Sequence, residues 1–327
     1  MNPSIRRRAV NAIAAAALVL LAQGAAAQSY PSKPIRLVVP FPPGGVADLL
    51  ARPLAERMSA ALGQPVVIEN RAGATGTIAG AAVATAAADG YTLLFGTTNE
   101  IAMSPTLFKS LPYDPTRAFA PVSPVAEFPN VLVVGPQLGL ASLQDLIAFA
   151  RTNPGKLTFA SSGTGSTNHL TAELFQQIAG VKVTHVPYKG GGPALADLLG
   201  GHVDAMFATL PSAMAHIRSG KLRALAVTGE RRSPALPDVP TAGEAGARGL
   251  VVMTGNGVLA PAGTPAAVIE RLQREVKAAI AVDAVRERYA TAGAEPMTLT
   301  PEQFRDLIAR DYGRWARLIK DNGISAE

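Results

Sequence analysis

The chain has 327 residues, a formal net charge of +6 at pH 7 and no cysteine. The absence of cysteine excludes disulfides, thiolate metal sites and cysteine nucleophiles. The positive charge is small and forms no later basic cluster, so nucleic acid is not an expected partner. A chain of this length usually forms two domains, each with its own core.

The first 27 residues have the pattern of a secretory signal peptide. Arg6 to Arg8 precede an apolar run from Ala9 to Ala22, and three alanines end the segment. The run is shorter than the roughly 20 residues of a membrane-spanning helix. We therefore expect cleavage near Ala27 and export to a bacterial periplasm, and no later segment predicts membrane insertion. Loss of the three arginines lowers the formal charge from +6 to +3.

Strands and helices alternate in the first half of the remaining chain. The predicted strands are Ile35–Pro40, Val66–Asn70 and Tyr91–Gly96, and the predicted helices are Val46–Leu62 and Thr77–Ala88. This strand–helix order is typical of a parallel, doubly wound sheet.

A second series follows the proline-rich segment 105–129. The predicted strands are Val131–Pro136, Leu157–Ala160, Val181–Tyr188, Val203–Ala208 and Leu222–Gly229; the predicted helices begin after Ser142, at Asn168, at Pro193 and at Pro211. The proline- and glycine-rich segment Ser233–Gly246 favours neither helix nor strand and is interpreted as a return between domains.

Two helices close the chain. Thr264-Pro265 and Thr300-Pro301 each predict an N-cap followed by proline at the first helical position. Thr300 and Gln303 also predict a capping box. In the last helix Trp315 lies on the same stripe as Phe304, which indicates a packing residue rather than a ligand platform.

These elements predict an α/β fold with two lobes, each a doubly wound sheet. The proposed division gives residues 28–125 and 252–327 to the first lobe and 126–251 to the second. Ligands of open α/β sheets bind beyond the carboxyl ends of the strands. The loops that follow strands are therefore the expected functional loops.

The loop FASSGTGSTNHL (Phe159 to Leu170) permits several chemical interpretations. It lacks the complete phosphate-binding pattern, and Gly255 to Ala260 matches a dinucleotide pattern in letters but is followed by APAG instead of a helix. No G-x-S-x-G occurs, and Ser166 with His169 lacks an adjacent acid, so a hydrolase is disfavoured. His169 is expected to be a capping or surface residue. The four histidines show no metal-ligand spacing.

The interpretation that remains is an anion site made of backbone amides. Residues 163–167 lie between a strand and a helix start, where unpaired N–H groups and the helix dipole attract an anion. The segment PFPPGGVAD (Pro40 to Asp48) has the same arrangement after the first strand. Neither loop contains lysine or arginine, so a carboxylate would be held by neutral donors and by closure of the lobes.

Many ordered segments resemble one family over essentially the whole mature chain. They include YPSKPIRLVVPFPPGGVADLLAR, QPVVIENRAGATGTIAG, LPYDPTRAFAPVS, FASSGTGSTNHL, HVPYKGGGPALADLLGGHVDAMF and LAPAGTP. They are similar to Bug-type periplasmic solute-binding proteins, the receptors of tripartite tricarboxylate transporters. The resemblance implies a two-lobed Venus-flytrap fold of type II-like architecture, no catalysis, no cofactor and no metal.

The resemblance also implies a set of carboxylate-binding positions. In this sequence they are Phe41, Gly44, Gly45, Asp48, Thr97, Thr98, Ser161, Ser162, Gly163, Thr164, Gly165, Ser166, Ala208 and Thr209. Gly255 and Asn256 depart from the family pattern, because an aromatic pair often stands there. Asp48 is the one candidate acid for a ligand ammonium group, which favours a carboxylic acid without an amino group.

The expected function is capture of a small organic carboxylate and its delivery to the membrane permease subunits of a tripartite transporter. The alternative is a sensor of the same fold that presents the ligand to a signalling partner. A monomer is expected, because no unpartnered helix stands out in the sequence.

Overall fold

The computed structural model describes residues 30–326. The predicted signal peptide therefore lies outside the described residues. Between residues 30 and 326, every helix is too short or too polar to cross a membrane.

The strands and helices alternate along the chain. The strands are β1 (Ile35–Val39), β2 (Val66–Asn70), β3 (Thr92–Thr97), β4 (Phe119–Val134), β5 (Thr158–Ser161), β6 (Thr184–Pro187), β7 (Ala205–Thr209), β8 (Arg223–Val227), β9 (Met253–Pro261) and β10 (Glu295–Pro296). The α-helices are α1 (Val46–Leu62), α2 (Thr77–Ala84), α3 (Ser104–Leu107), α4 (Leu143–Thr152), α5 (Thr167–Ala179), α6 (Gly191–Leu199), α7 (Leu210–Arg218), α8 (Ala266–Ala281), α9 (Asp283–Thr291) and α10 (Pro301–Asp321).

The strand order is β2-β1-β3-β9-β4-β7-β5-β6, with β8 and β10 also paired to β4. β1 is parallel to β2 and β3, and β5 is parallel to β6 and β7. β9 is antiparallel to both of its neighbours, β3 and β4. The predicted α/β fold class with two parallel units is confirmed.

β4 belongs to both units. Its first part, Phe119–Pro129, pairs with β9, and Asn130–Val134 pairs with β7. The strand was predicted to begin at Val131, which was wrong, because it begins at Phe119. Pro121, Pro124 and Pro129 normally argue against a strand, yet register shifts after Pro121 and Pro124 let this strand continue. The proposed domain boundaries stay a prediction.

Each unit has its own buried core. In the first, Leu37 of β1 and Phe95 of β3 pack with Leu54 of α1 and Val276 of α8. In the second, Phe159, Phe175 and Phe207 form an aromatic group whose ring centroids lie 5.6–6.0 Å apart. The helices therefore cover the sheet as the alternating pattern predicted.

The last helix, α10, packs against residues from several parts of the chain. Trp315 is 2% exposed and lies in a cluster with Met103, Leu107 and Leu170. At the start of the helix, Thr300 and Gln303 form the predicted capping box. The prediction of Trp315 as a packing residue is confirmed.

Some elements differ from the prediction. Helix α2 ends at Ala84 rather than Ala88, and α8 begins at Ala266 with Pro265, not Thr264, as its N-cap. A π-helical turn, Asn99–Met103, and the short α3 follow β3 without a clear signal in the sequence. Strand β9 was also not predicted, because three of its nine residues are glycine or proline, which are depleted in strands.

Trp315→Ala should destabilise the protein by about 3–5 kcal/mol, because it empties a large buried volume. Gly313→Ala, in the same helix, is the matched control: an added Cβ would meet nothing within 4 Å. It should stabilise by about 0.4–1 kcal/mol by restricting the unfolded chain. Denaturant unfolding of both variants measures the change in the free energy of unfolding. Equal changes would contradict the assignment of Trp315 as a packing anchor.

Candidate functional site

The loop after β1 leads directly into helix α1. Gly44 has a φ of 79°, which favours glycine, and Gly45 is an N-cap without a side-chain hydrogen bond. Among the hydrogen bonds of residues 30–326, the amides of Val46 and Ala47 have no acceptor. This helix start therefore presents unpaired donors at the positive end of its dipole.

Asp48 stabilises this loop through several hydrogen bonds. Its carboxylate accepts from Arg52 Nε at 2.7 Å, from the Gly44 amide at 2.9 Å and from Asn70 Nδ2 at 3.0 Å. Asn70 also donates to the Phe41 carbonyl at 3.0 Å. Burial alone would raise the pKa of the Asp48 carboxyl, but these hydrogen bonds and the Arg52 charge hold it below its usual value. Asp48 is therefore already paired within the protein.

The second predicted loop connects β5 to α5. Gly163 and Gly165 have φ values of 134° and 76°, and Ser166 is the N-cap of α5. Within the described part of the chain, the amides of Thr164, Thr167 and Asn168 have no acceptor. The loop therefore has the same character as the first: a helix start with free backbone donors.

The serine hydroxyls of this loop are bound internally. Ser161 Oγ lies 2.6 Å from His185 Nε2, Ser162 donates to Asn168 Oδ1 at 2.6 Å, and Ser166 donates to the Gly163 carbonyl at 2.7 Å. Ser166 Oγ also accepts from the His169 amide at 3.4 Å, as the N-cap of α5. These bonds shape the loop. They give no support to Ser166 as a nucleophile.

His169 is buried, so of its two expected roles, capping or surface, the surface role was wrong. The expectation that no acid lies beside it was also wrong, because Glu173 Oε1 lies 3.4 Å from its Nε2. His169 Nδ1 accepts from the Gly165 amide at 3.1 Å, and its ring stacks on His185 with centroids 3.7 Å apart. Desolvation, together with the neighbouring His169, lowers the pKa of His185 to about 4. His185, which sequence reasoning missed, is therefore neutral at pH 7 and supports the loop through Ser161.

Thr97 and Thr98 lie at the carboxyl end of β3. The Thr97 amide and hydroxyl both bond to the Glu100 carboxyl group, the hydroxyl at 2.6 Å. The Thr98 hydroxyl accepts from the Gly255 amide at 3.3 Å. Sequence reasoning missed Glu100 because acidic residues rarely lie at fully buried positions without a cation.

Glu100 is fully buried, and among the described residues it has no cationic partner. Burial outweighs the hydrogen bonds from Thr97 and raises the pKa of Glu100 to about 8. The side chain is therefore mostly protonated and uncharged at pH 7. Tyr113 donates to the Glu100 backbone carbonyl at 3.2 Å.

The remaining predicted positions lie on β7. The Ala208 side chain is fully buried in the second unit's core, and the Thr209 hydroxyl donates to Ser212 at 2.8 Å. Gly255 and Asn256 lie on β9, where Asn256 is 1% exposed and is paired in register with Thr97. The departure from the family pattern therefore lies next to the end of β3.

Residues 97–107 connect the two glycine loops. A Cβ at Gly76 would lie about 3 Å from both Pro40 and Glu100, and a Cβ at Gly165 would lie 2.5 Å from Leu107. Gly76 thus lies close to both Pro40, at the start of the first loop, and Glu100, and the second loop lies close to Leu107. The structure places no cluster of metal-ligating side chains within residues 30–326.

A protein-family model and a known relative both match most of this chain. Residues 50–324 match the model of the tripartite tricarboxylate transporter family receptor, TctC. The chain is 44% identical over 304 residues to protein BugT of Bordetella pertussis, covering 93% of each chain.

Solved structures agree with this match. Rpa4515 of R. palustris with adipate is 39% identical, with a TM-score of 0.85, over 90% of this chain and 99% of that one. MatC of Rhodopseudomonas palustris with bound malate is 34% identical, with a TM-score of 0.81, over 89% and 100%. The periplasmic binding protein BugD is 36% identical, with a TM-score of 0.83, over 91% and 100%.

Glu100→Gln should change how stability depends on pH. The pKa of Glu100 in the folded protein lies above the unfolded value of 4.5. The contribution of Glu100 to the free energy of unfolding is therefore fully present below about pH 4.5 and is lost as pH rises through about 8. Relative to Glu100→Gln, the wild type should lose up to about 1.4 kcal/mol per pH unit in this range. Denaturant unfolding from pH 5 to 8 measures the difference, and parallel profiles would contradict a buried neutral acid.

Proposed function

Because the chain belongs to the Bug-type receptor family of tripartite tricarboxylate transporters, we propose that it captures a small organic carboxylate between its two lobes and delivers it to the transporter's membrane subunits. The observation that carries the proposal is the pair of helix starts with unpaired amides, at Val46 and at Thr167. Family members are periplasmic receptors, and we extend this location to the present chain, with the signal peptide cleaved near Ala27. The protein acts as a monomeric receptor and not as an enzyme.

Backbone amides suit a carboxylate ligand. A hydrogen bond from a neutral N–H to a carboxylate is charge-assisted and stronger than a bond between neutral groups. Each helix dipole adds about 0.3–1 kcal/mol, and up to ~2 kcal/mol where the end is partly buried. The adjacent side chains do not compete, because Ser166 and Asp48 bond within their own loops.

The acids near these loops are compatible with an anion. Asp48 is neutralised by Arg52, and Glu100 is uncharged at pH 7. Neither of these two acids therefore repels a carboxylate from the end of β3. Neither offers a free counter-charge to a ligand ammonium group.

Binding is expected to close the lobes around the ligand. The shared strand β4 connects the two units, and hinge closure around a ligand is a common motion of periplasmic binding proteins. Closure removes water from the amides and strengthens their bonds to the carboxylate. The closed form would then be the form that the membrane subunits recognise.

Proline substitution at the two helix starts tests the amide site directly. Proline is tolerated at the first helical position and removes only the N–H group. Gly45 and Ser166, which precede the two positions, have the extended ψ values that a following proline needs: 167° and 160°. Val46→Pro and Thr167→Pro should each weaken carboxylate binding by about tenfold or more, the effect of losing a bond worth about 1.5–3 kcal/mol.

The measurement is calorimetric titration with mono-, di- and tricarboxylates and aromatic acids, after the protein has been unfolded and refolded to remove bound ligand. Ala266→Pro is the matched control, since Ala266 is the exposed first residue of α8 and follows Pro265 with a ψ of 139°. Thr167→Ala separates loss of the side chain from loss of the amide. A folded protein that binds no carboxylate, or proline variants that bind like the control, would refute the amide site.

A further inference from the structure

Two buried amide oxygens near the end of β3 have no hydrogen-bond partner in the described part of the chain. They are Asn99 Oδ1, in the π-helical turn, and Asn256 Oδ1, on β9. Asn99 is 7% exposed and Asn256 is 1% exposed. A buried unpaired acceptor is costly, so such atoms require an explanation.

The two side chains meet around Thr97. Asn99 Nδ2 donates to the Thr97 hydroxyl at 3.3 Å, and Asn256 is the cross-strand partner of Thr97. The amide group of Asn256 also reaches the Ala126 carbonyl, at 3.5 Å. The side-chain nitrogen of each asparagine thus donates a hydrogen bond within the protein, and the side-chain oxygen of each accepts none.

We propose that Asn99 and Asn256 form an acceptor subsite that binds a hydroxyl group of the ligand; this rests on the proposed function. The ligand carboxylate binds the helix amides, which are donors, whereas the subsite offers acceptors. It therefore requires a donor on another part of the same ligand. Asn99 and Asn256 are specificity-determining residues in this arrangement.

The surrounding charges favour a hydroxyl over an ammonium group as this donor. The neighbouring carboxyl group, Glu100, is enclosed and bonded to Thr97, and Asp48 is paired with Arg52. An ammonium group at the subsite would lose its hydration without a free counter-charge from either of these acids. A hydroxyl group needs only the acceptors that the two asparagines provide.

The test compares ligands that differ only at one carbon. Succinate, 2-hydroxysuccinate and 2-aminosuccinate form one set, and adipate, 2-hydroxyadipate and 2-aminoadipate form another. With wild-type protein, the hydroxylated member of the better-binding set should bind about tenfold or more tightly than the other two members, measured by calorimetry.

Asn256→Leu and Asn99→Leu keep the approximate volume and remove the acceptor. Each should reduce the hydroxyl preference to within about twofold. Asn153→Leu, at the half-buried C-cap position of α4, is the matched control and should keep the preference. Thermal unfolding confirms that each variant is folded, and if a leucine variant does not fold, the serine variant at the same position replaces it with the same expectation.

The outcomes separate this inference from the proposed function. If the carboxylates bind without a hydroxyl preference, or if the preference survives both substitutions, the acceptor subsite is refuted and an ordered water is the partner of the oxygens. The proposed function then stands. If none of the six acids binds and the wider carboxylate panel is also negative, the proposed function fails and the subsite fails with it.

Discussion

The features of the candidate site depend on keeping the backbone amides at two helix starts free. Side chains that could satisfy these donors lie next to them, yet each has another partner. Asp48 accepts from Arg52 and Asn70, besides the Gly44 amide that precedes the helix, and Ser166 takes one amide and donates to Gly163. Side chains that already have hydrogen-bond partners thus fix the shape of the loops, while the remaining N–H groups stay available.

The same constraint explains why the ionisable side chains near the two loops are paired or buried. An anion held by neutral donors gains less from each contact than one held by arginine, so any nearby negative charge would be a large fraction of the binding free energy. Pairing neutralises Asp48, and burial neutralises Glu100. His185, which is also neutral, supports the second loop without adding a charge. Under the proposed function, the loops therefore favour an anion without a lysine or arginine of their own.

Much of the fold was predictable because its elements follow simple periodic patterns. β1, α1 and β2 agree with the structure within a residue, and the Thr300 cap was identified from four residues. β4 was predicted too short because proline usually disfavours a strand, and tertiary pairing with β9 overrides that preference. Turns such as Asn99–Met103 depend on packing against α10, which a local pattern does not contain.

In the site, as in the fold, features set by neighbouring residues could be predicted, and features set by distant residues could not. The glycine loops could be located because a strand, small residues and a helix follow one another in the sequence. Glu100 and His185 could not, because their roles depend on burial or on partners distant in the chain, and Asn256 stood out only as a departure from the family pattern. His185 reaches Ser161 across 24 residues, and Asn256 meets Thr97 only because β9 returns to pair with β3. Sequence therefore identifies the donors proposed to attract a carboxylate, whereas the folded sheet brings together the residues proposed to distinguish one carboxylate from another.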